Sequence, residues 1–129
     1  MKYYISKTIQ GEFTEIIDRV TDLLKDEGFG ILTEIDVKKT LKTKLDVDYK
    51  EYTILGACNP HLAIQAFQAE DKVGALLPCN VIVIDQGEGN IEVATMDAVN
   101  LMNQIGNPAL EVLALDANER LTRVLDNLK

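Results

Sequence analysis

The alternation of strand-like and helix-like segments limits the possible folds of this chain more than any other feature of its sequence. Apolar alternation and short apolar runs predict five strands, at residues 2–8, 29–37, 50–58, 79–86 and 91–96. Apolar residues at helical spacing predict five helices, at residues 12–28, 37–45, 60–70, 98–105 and 107–128. This order of segments predicts an α+β protein of two layers, in which an antiparallel sheet of about five strands packs its helices on one face.

The strand predicted at residues 29–37, "FGILTEIDV", alternates apolar and polar side chains. Because successive side chains of a strand point to opposite faces of the sheet, alternate residues share a face. We therefore expect one face of this strand to consist of Phe29, Ile31, Thr33, Ile35 and Val37.

The segment between residues 56 and 81 leaves two topologies open. In a right-handed βαβ crossover, the strands before and after the 60–70 helix are parallel, and Cys58 and Cys79 lie at opposite ends of a strand, roughly 25 Å apart. Antiparallel pairing instead brings the end of one strand beside the start of the next. For the antiparallel arrangement we predict that the two Cα atoms lie within about 10 Å, close enough to line one pocket but not necessarily to form a disulfide.

The size and charge of the chain indicate how many domains it has and which partners it does not bind. A length of 129 residues predicts a single domain over residues 1–129. Thirteen Lys and Arg stand against twenty-one Asp and Glu, and the net charge of −8 disfavours binding to nucleic acid or to an anionic membrane. The sequence has neither a signal-peptide pattern nor an apolar run of the roughly 20 residues that span a bilayer. We expect a cytoplasmic protein whose two cysteines are reduced thiols.

A Cys-Asn pair occurs twice, in "GACNPHL" at residues 56–62 and in "LPCNV" at residues 77–81. Proline after the first pair starts a helix, and the free amides of a helix N-terminus attract an anion or a carbonyl group, while asparagine can both donate and accept hydrogen bonds. The first hypothesis is therefore a binding module for a small polar or anionic ligand. Its pocket would be formed by Cys58, Asn59, Pro60, His61, Cys79 and Asn80. The equally weighted alternative is that both asparagines only cap helices and turns, and that both cysteines are small buried hydrophobic residues.

Two other classes of function remain open. Cys58 precedes a helix N-terminus, which stabilises a thiolate, and His61 could act as its base, so a thiol-dependent enzyme or redox sensor is one alternative. The other is a structural or interaction protein that acts as a homodimer. Two thiols and one histidine lack the spacing of a zinc site, so we expect no metal, and the sequence assigns no cofactor.

The helix predicted at residues 37–45 carries lysines on its outer side. They are Lys38, Lys39, Lys42 and Lys44. A solvated lysine face is the favoured interpretation, because neither an arginine fork nor a glycine-rich phosphate loop accompanies these residues. A site for an anionic ligand is the less favoured alternative.

Nearly the whole chain resembles the domain-of-unknown-function 302 family of small bacterial and archaeal proteins. The resemblance rests on the amphipathic first helix, on "GFGILTEIDV" and the lysine-bearing segment after it, on "GACNP" and "LLPCNVIV", and on a strand that leads into the C-terminal helices. It implies an α+β fold of the TATA-binding-protein superfold class, a tendency to homodimerise, and no established activity. The family usually has a proline after the aspartate where this sequence reads Asp97-Ala98. The fold resemblance does not predict DNA binding, because function follows the site and this chain is acidic.

Overall fold

A five-stranded antiparallel sheet forms the centre of the computed structural model, which describes residues 2–129. The strands are β1 (Tyr4–Gln10), β2 (Gly30–Asp36), β3 (Tyr52–Cys58), β4 (Cys79–Asp85) and β5 (Asn90–Met96). Their order across the sheet is β1-β5-β4-β3-β2, and every neighbouring pair is antiparallel. The predicted α+β class is confirmed, and the parallel crossover between β3 and β4 is wrong. A TATA-binding-protein-like topology is compatible with this order and stays a prediction.

Five α-helices occur close to the predicted positions. They are α1 (Phe13–Asp26), α2 (Val37–Leu45), α3 (Pro60–Ala69), α4 (Ala98–Met102) and α5 (Pro108–Asn127). A 3₁₀ helix over Asp71–Leu76, where the sequence suggested only a connecting loop, follows α3 directly. Among residues 2–129, no helix combines the length and the apolar content needed to cross a membrane.

Each helix begins at a capping side chain that the sequence supplies. Asn59 caps α3, Asp97 caps α4 and Asn107 caps α5 by accepting a hydrogen bond from a backbone amide of the first turn. Asp97 does so although alanine follows it in place of the family's usual proline. At the other end of α1, Gly28 adopts a φ of 87°, a left-handed conformation that glycine tolerates without a steric cost.

The main core lies between one face of the sheet and two helices. Its buried members from the helices are Ile16, Val20, Leu24, Leu121, Val124 and Leu125, and those from the sheet are Leu55, Ala57, Val81, Val83, Ile91 and Val93. The strand residues of this list alternate along each strand, and partners such as Leu55 and Val81 are directly opposite in the register. They therefore share one face, the face that α1 and α5 cover.

A second hydrophobic cluster has no strand residue among its buried members. These members are Ala66, Val73, Ala98, Met102, Leu110, Ala114 and Ala117, contributed by α3, the 3₁₀ helix, α4 and the first half of α5. With 20 residues, α5 is about 30 Å long, so its second half can cover the sheet while its first half packs on the other helices.

The predicted face of β2 is wrong. The register shifts between Ile31 and Thr33, so Ile31 lies opposite the core residue Ala57, whereas Thr33 lies opposite Gly56 on the other face. A bulge adds one unpaired residue, and one extra residue reverses the facing of every side chain after it. As a result Ile35, which pairs with Ile54, is 45% exposed on the face that α1 and α5 do not cover.

We predict that Gly56→Ala destabilises the protein by about 1–3 kcal/mol, because a Cβ atom there would crowd a packed site. It would lie 2.2 Å from Thr33 Oγ1 and 3.0 Å from Pro78 Cγ. Denaturant unfolding measures the change. Gly30→Ala on the neighbouring strand is the matched control, since no atom lies within 4 Å of the added carbon and its stability should be unchanged or slightly higher. Equal losses for both variants would contradict the packing argument.

Candidate functional site

The pairing of β3 with β4 brings the two cysteines together. Ala57 is the register partner of Cys79, so Cys58 lies one residue beyond that pair. Standard strand spacing then gives a Cα separation of roughly 6 Å between Cys58 and Cys79. This separation is inside the predicted limit, and the predicted antiparallel pairing is confirmed.

A cavity of about 290 Å³ opens beside these strand ends, between β3, β4 and the second hydrophobic cluster. Its lining includes Phe29, Ala57, Cys58, Asn59, Leu62, Ala63, Ala66, Phe67, Cys79, Ala98, Met102, Leu110, Leu113, Ala114 and Ala117. Leu32 and Phe67, which also line it, are 66% and 46% exposed, so the cavity has an apolar mouth. No Asp, Glu, Lys, Arg or His is among the lining residues of the described chain.

Small side chains leave this space open. α3 presents Ala63 and Ala66 to the cavity, and α5 presents Ala114 and Ala117. The spacing of each pair places both side chains on one side of its helix. Because alanine extends only one carbon from the backbone, these faces of α3 and α5 leave the volume between them unfilled.

The structure places only three of the six predicted site residues in the cavity lining, namely Cys58, Asn59 and Cys79. Pro60 and His61 are exposed in the first turn of α3 and are not part of the lining. Asn80 is exposed on the opposite face of the sheet, because it follows Cys79 on a strand and side chains alternate. The two Cys-Asn pairs therefore contribute both cysteines but only one asparagine, Asn59, to the cavity lining.

Both polar atoms of Asn59 make structural hydrogen bonds. Its Oδ1 accepts from the amide of Leu62 at 3.2 Å, and its Nδ2 donates to the carbonyl of Glu27 at 3.4 Å. Asn59 is only 6% exposed, so it joins α3 to the end of α1 from a buried position. For Asn59, the capping role weighed in the sequence is the one observed.

The thiol of Cys79 is buried, and its surroundings change its pKa. Burial, together with the nearby charge of Cys58, raises the pKa of the Cys79 thiol to about 11. Cys79 is therefore protonated and weakly nucleophilic at neutral pH. Among the described residues, no group of three or more His, Cys, Asp or Glu side chains is arranged to hold a metal ion.

The lysines of α2 are partly neutralised within the chain. Lys42 forms ion pairs with Asp46 at 2.9 Å and with Asp48 at 3.2 Å, and Lys38 pairs with Glu51 at 3.4 Å. These pairs lower the local positive charge, which favours the solvated-face interpretation over an anion site.

Comparison with known proteins gives a family match and a fold match. The family model described as "Domain of unknown function DUF302" matches residues 5–128. The crystal structure of an uncharacterized conserved protein DUF302 from Bacillus stearothermophilus is 29% identical, covers 100% of both chains and has a TM-score of 0.91. No curated protein matches the chain. These similarities support the fold and carry no described activity.

We predict that Cys79 is alkylated slowly at neutral pH and that its alkylation rate rises with a midpoint near pH 11. Because its folded pKa lies above the unfolded value, the proton on Cys79 stabilises the fold at low pH, and this contribution is lost as the pH rises through about 11. Peptide-resolved iodoacetamide labelling measures the rate, with the urea-unfolded chain as the control, where the midpoint should fall to about 8.5. A folded midpoint at or below that of the unfolded chain would contradict the burial of this thiol.

Proposed function

The chain belongs to the DUF302 family of unknown function, and we propose from its own cavity that it binds a small, uncharged and largely apolar molecule. The single observation that carries this proposal is the cavity lining, which combines aliphatic, alanine and phenylalanine side chains with two thiols. A pocket without a charged side chain cannot compensate the desolvation of a charged ligand.

The proposed ligand differs from the small polar or anionic ligand expected from the sequence. That expectation required Asn59 and Asn80 to offer free amides to one pocket. Asn59 uses its side chain to cap α3 and to bind Glu27, and Asn80 lies outside the lining. The remaining attraction is apolar, and burial of about 300 Å² of ligand surface would contribute roughly 7.5 kcal/mol before the costs of association. We therefore expect dissociation constants that are micromolar or weaker.

Thiol catalysis by Cys58 has less support than ligand binding. A catalytic thiol needs a base within hydrogen-bond reach, but His61 is exposed and outside the cavity lining. Cys79 is protonated at neutral pH because burial raises its pKa.

We further propose a cytoplasmic location, where reducing conditions keep the neighbouring thiols free, as both are here.

We predict that Ala114→Leu weakens the binding of the uncharged dye Nile red while keeping or raising thermal stability. The larger side chain occupies part of the cavity, which reduces the volume left for a ligand and adds apolar packing. Fluorescence titration should give one site in the native chain and at least about a tenfold loss in affinity, which is 1.4 kcal/mol, in the variant.

The matched control is Ala109→Leu, the same substitution at an exposed position of α5. It should bind the dye like the native chain. If the native chain fails to bind, or if both variants bind equally, the cavity is not a binding site. Independently of the dye titration, native mass spectrometry of protein purified from its source would identify a retained ligand directly.

A second candidate function is assembly as a homodimer through the sheet face that α1 and α5 leave uncovered. Register partners on four neighbouring strands, Ile35, Ile54, Ile82 and Ala94, form an apolar row across this face. Five strands of seven residues cover roughly 24 Å by 24 Å, so two such faces would bury about 1,100 Å² in total. This area is just above the roughly 1,000 Å² that a biological interface is expected to exceed, and face-to-face sheets pack well through apolar rows.

We predict that Ile35→Glu converts the dimer to a monomer, because it places a charge in the apolar row that forms the contact. Ile35 is 45% exposed in the single chain, so the substitution should leave folding intact. Sedimentation equilibrium measures the mass. Leu115→Glu, at an exposed apolar position of α5, is the control and should remain dimeric. A native chain that is monomeric at the highest reachable concentration would rule out this assembly.

A further inference from the structure

Aromatic and sulfur-containing side chains are concentrated at the cavity. The chain contains three phenylalanines, two cysteines and three methionines. Two of the phenylalanines, both cysteines and one methionine line this cavity, namely Phe29, Phe67, Cys58, Cys79 and Met102. The other lining side chains are mainly leucine and alanine. The cavity is therefore richer in groups that recognise an aromatic ring than a purely aliphatic pocket would be.

We propose that the ligand of this cavity carries an aromatic ring. The proposal rests on the apolar-ligand proposal above and names the class of that ligand. Aromatic rings attract one another through the complementary charges of their faces and edges, and a sulfur atom makes a favourable contact with a ring. A saturated ring of the same skeleton gains only burial and dispersion from the same side chains. The lining should therefore favour the aromatic member of such a pair.

The ring-recognising side chains reach the cavity from different parts of the fold. Phe29 directly precedes β2 and is buried in the main core, so packing holds its ring in place. Phe67 lies on α3 and is partly exposed, which places a second ring at the mouth. Met102 is buried at the end of α4. A ligand in the cavity is therefore bounded by one buried phenylalanine, one phenylalanine at the mouth and a thioether.

The thiol of Cys79 adds to this preference. Burial raises its pKa to about 11, so the thiol keeps its proton at neutral pH. An S–H group is a weak donor, and its positive hydrogen is attracted by the negative face of an aromatic ring. A thiolate, which carries a negative charge, would instead repel this face.

Isothermal titration calorimetry with a matched pair of uncharged alcohols tests the proposal. The pair is 2-naphthol and its fully saturated counterpart, trans-decahydro-2-naphthol, which share their ring skeleton and their hydroxyl group. We expect the native chain to bind 2-naphthol at least about tenfold more tightly, because each phenylalanine or sulfur contact should favour the aromatic ring by roughly two- to tenfold. Equal affinities, or tighter binding of the saturated alcohol, would overturn the proposal.

Two conservative variants test which side chains cause the preference. Phe67→Leu replaces the ring at the mouth by an aliphatic side chain, and Met102→Leu removes a sulfur with little change in volume. Each should lower the affinity ratio of the two alcohols by about two- to tenfold. Because the hydration of each free alcohol is the same for every variant, a change in this ratio reports contacts inside the cavity. Thermal unfolding checks that each variant folds.

The matched controls are Phe13→Leu and Met96→Leu. Both residues are partly buried and pack against the hydrophobic clusters, but neither lines this cavity. Their affinity ratios should equal that of the native chain. If neither alcohol binds to the native chain, the apolar-ligand proposal fails and this one fails with it. If both alcohols bind, and Phe67→Leu and Met102→Leu leave the ratio unchanged, only the aromatic preference is wrong.

Discussion

The antiparallel hydrogen bonding of β3 with β4, at the centre of the sheet, is the constraint on which the rest of the structure depends. Because the two strands run in opposite directions, the chain leaves β3 after Cys58 and enters β4 at Cys79 at the same end of the sheet. The intervening α3 and 3₁₀ helix are therefore confined to one end of the sheet. The cavity and the neighbouring thiols both follow from this single pairing.

The long helix α5 converts that arrangement into two separate hydrophobic regions. Its second half, with α1, closes the main core against the sheet, while its first half meets α3 and α4 beyond the strands. Protein interiors are normally packed as densely as organic crystals. A cavity lined by Ala66, Ala114 and Ala117 departs from that rule, and a chain that keeps such a space forgoes packing energy that larger side chains would supply.

Most of the polar residues near the cavity have a structural role, because they cap helices. Asn59, Asp97 and Asn107 each bind a backbone amide at a helix start. Asn118 donates to Asp97 and accepts from the amide of Ala98, so α5 also fixes the start of α4. These bonds set the directions of the helices, and the directions in turn define the walls of the cavity. Polar chemistry in this region thus positions an apolar site.

The sequence by itself determined the order of the main strands and helices, the capping residues Asn59 and Asp97, and the charge. These features depend on local periodicity and on capping chemistry, whereas the closeness of Cys58 to Cys79 required the antiparallel pairing of β3 with β4, which the sequence left open. Only the tertiary structure decided which face β2 presents, because a one-residue bulge leaves no clear mark in an alternating pattern. It also decided that the cavity is apolar. Alanine at helical spacing suits a tight helix contact as well as an open space, and only the packed structure shows that α3 and α5 leave a cavity between them.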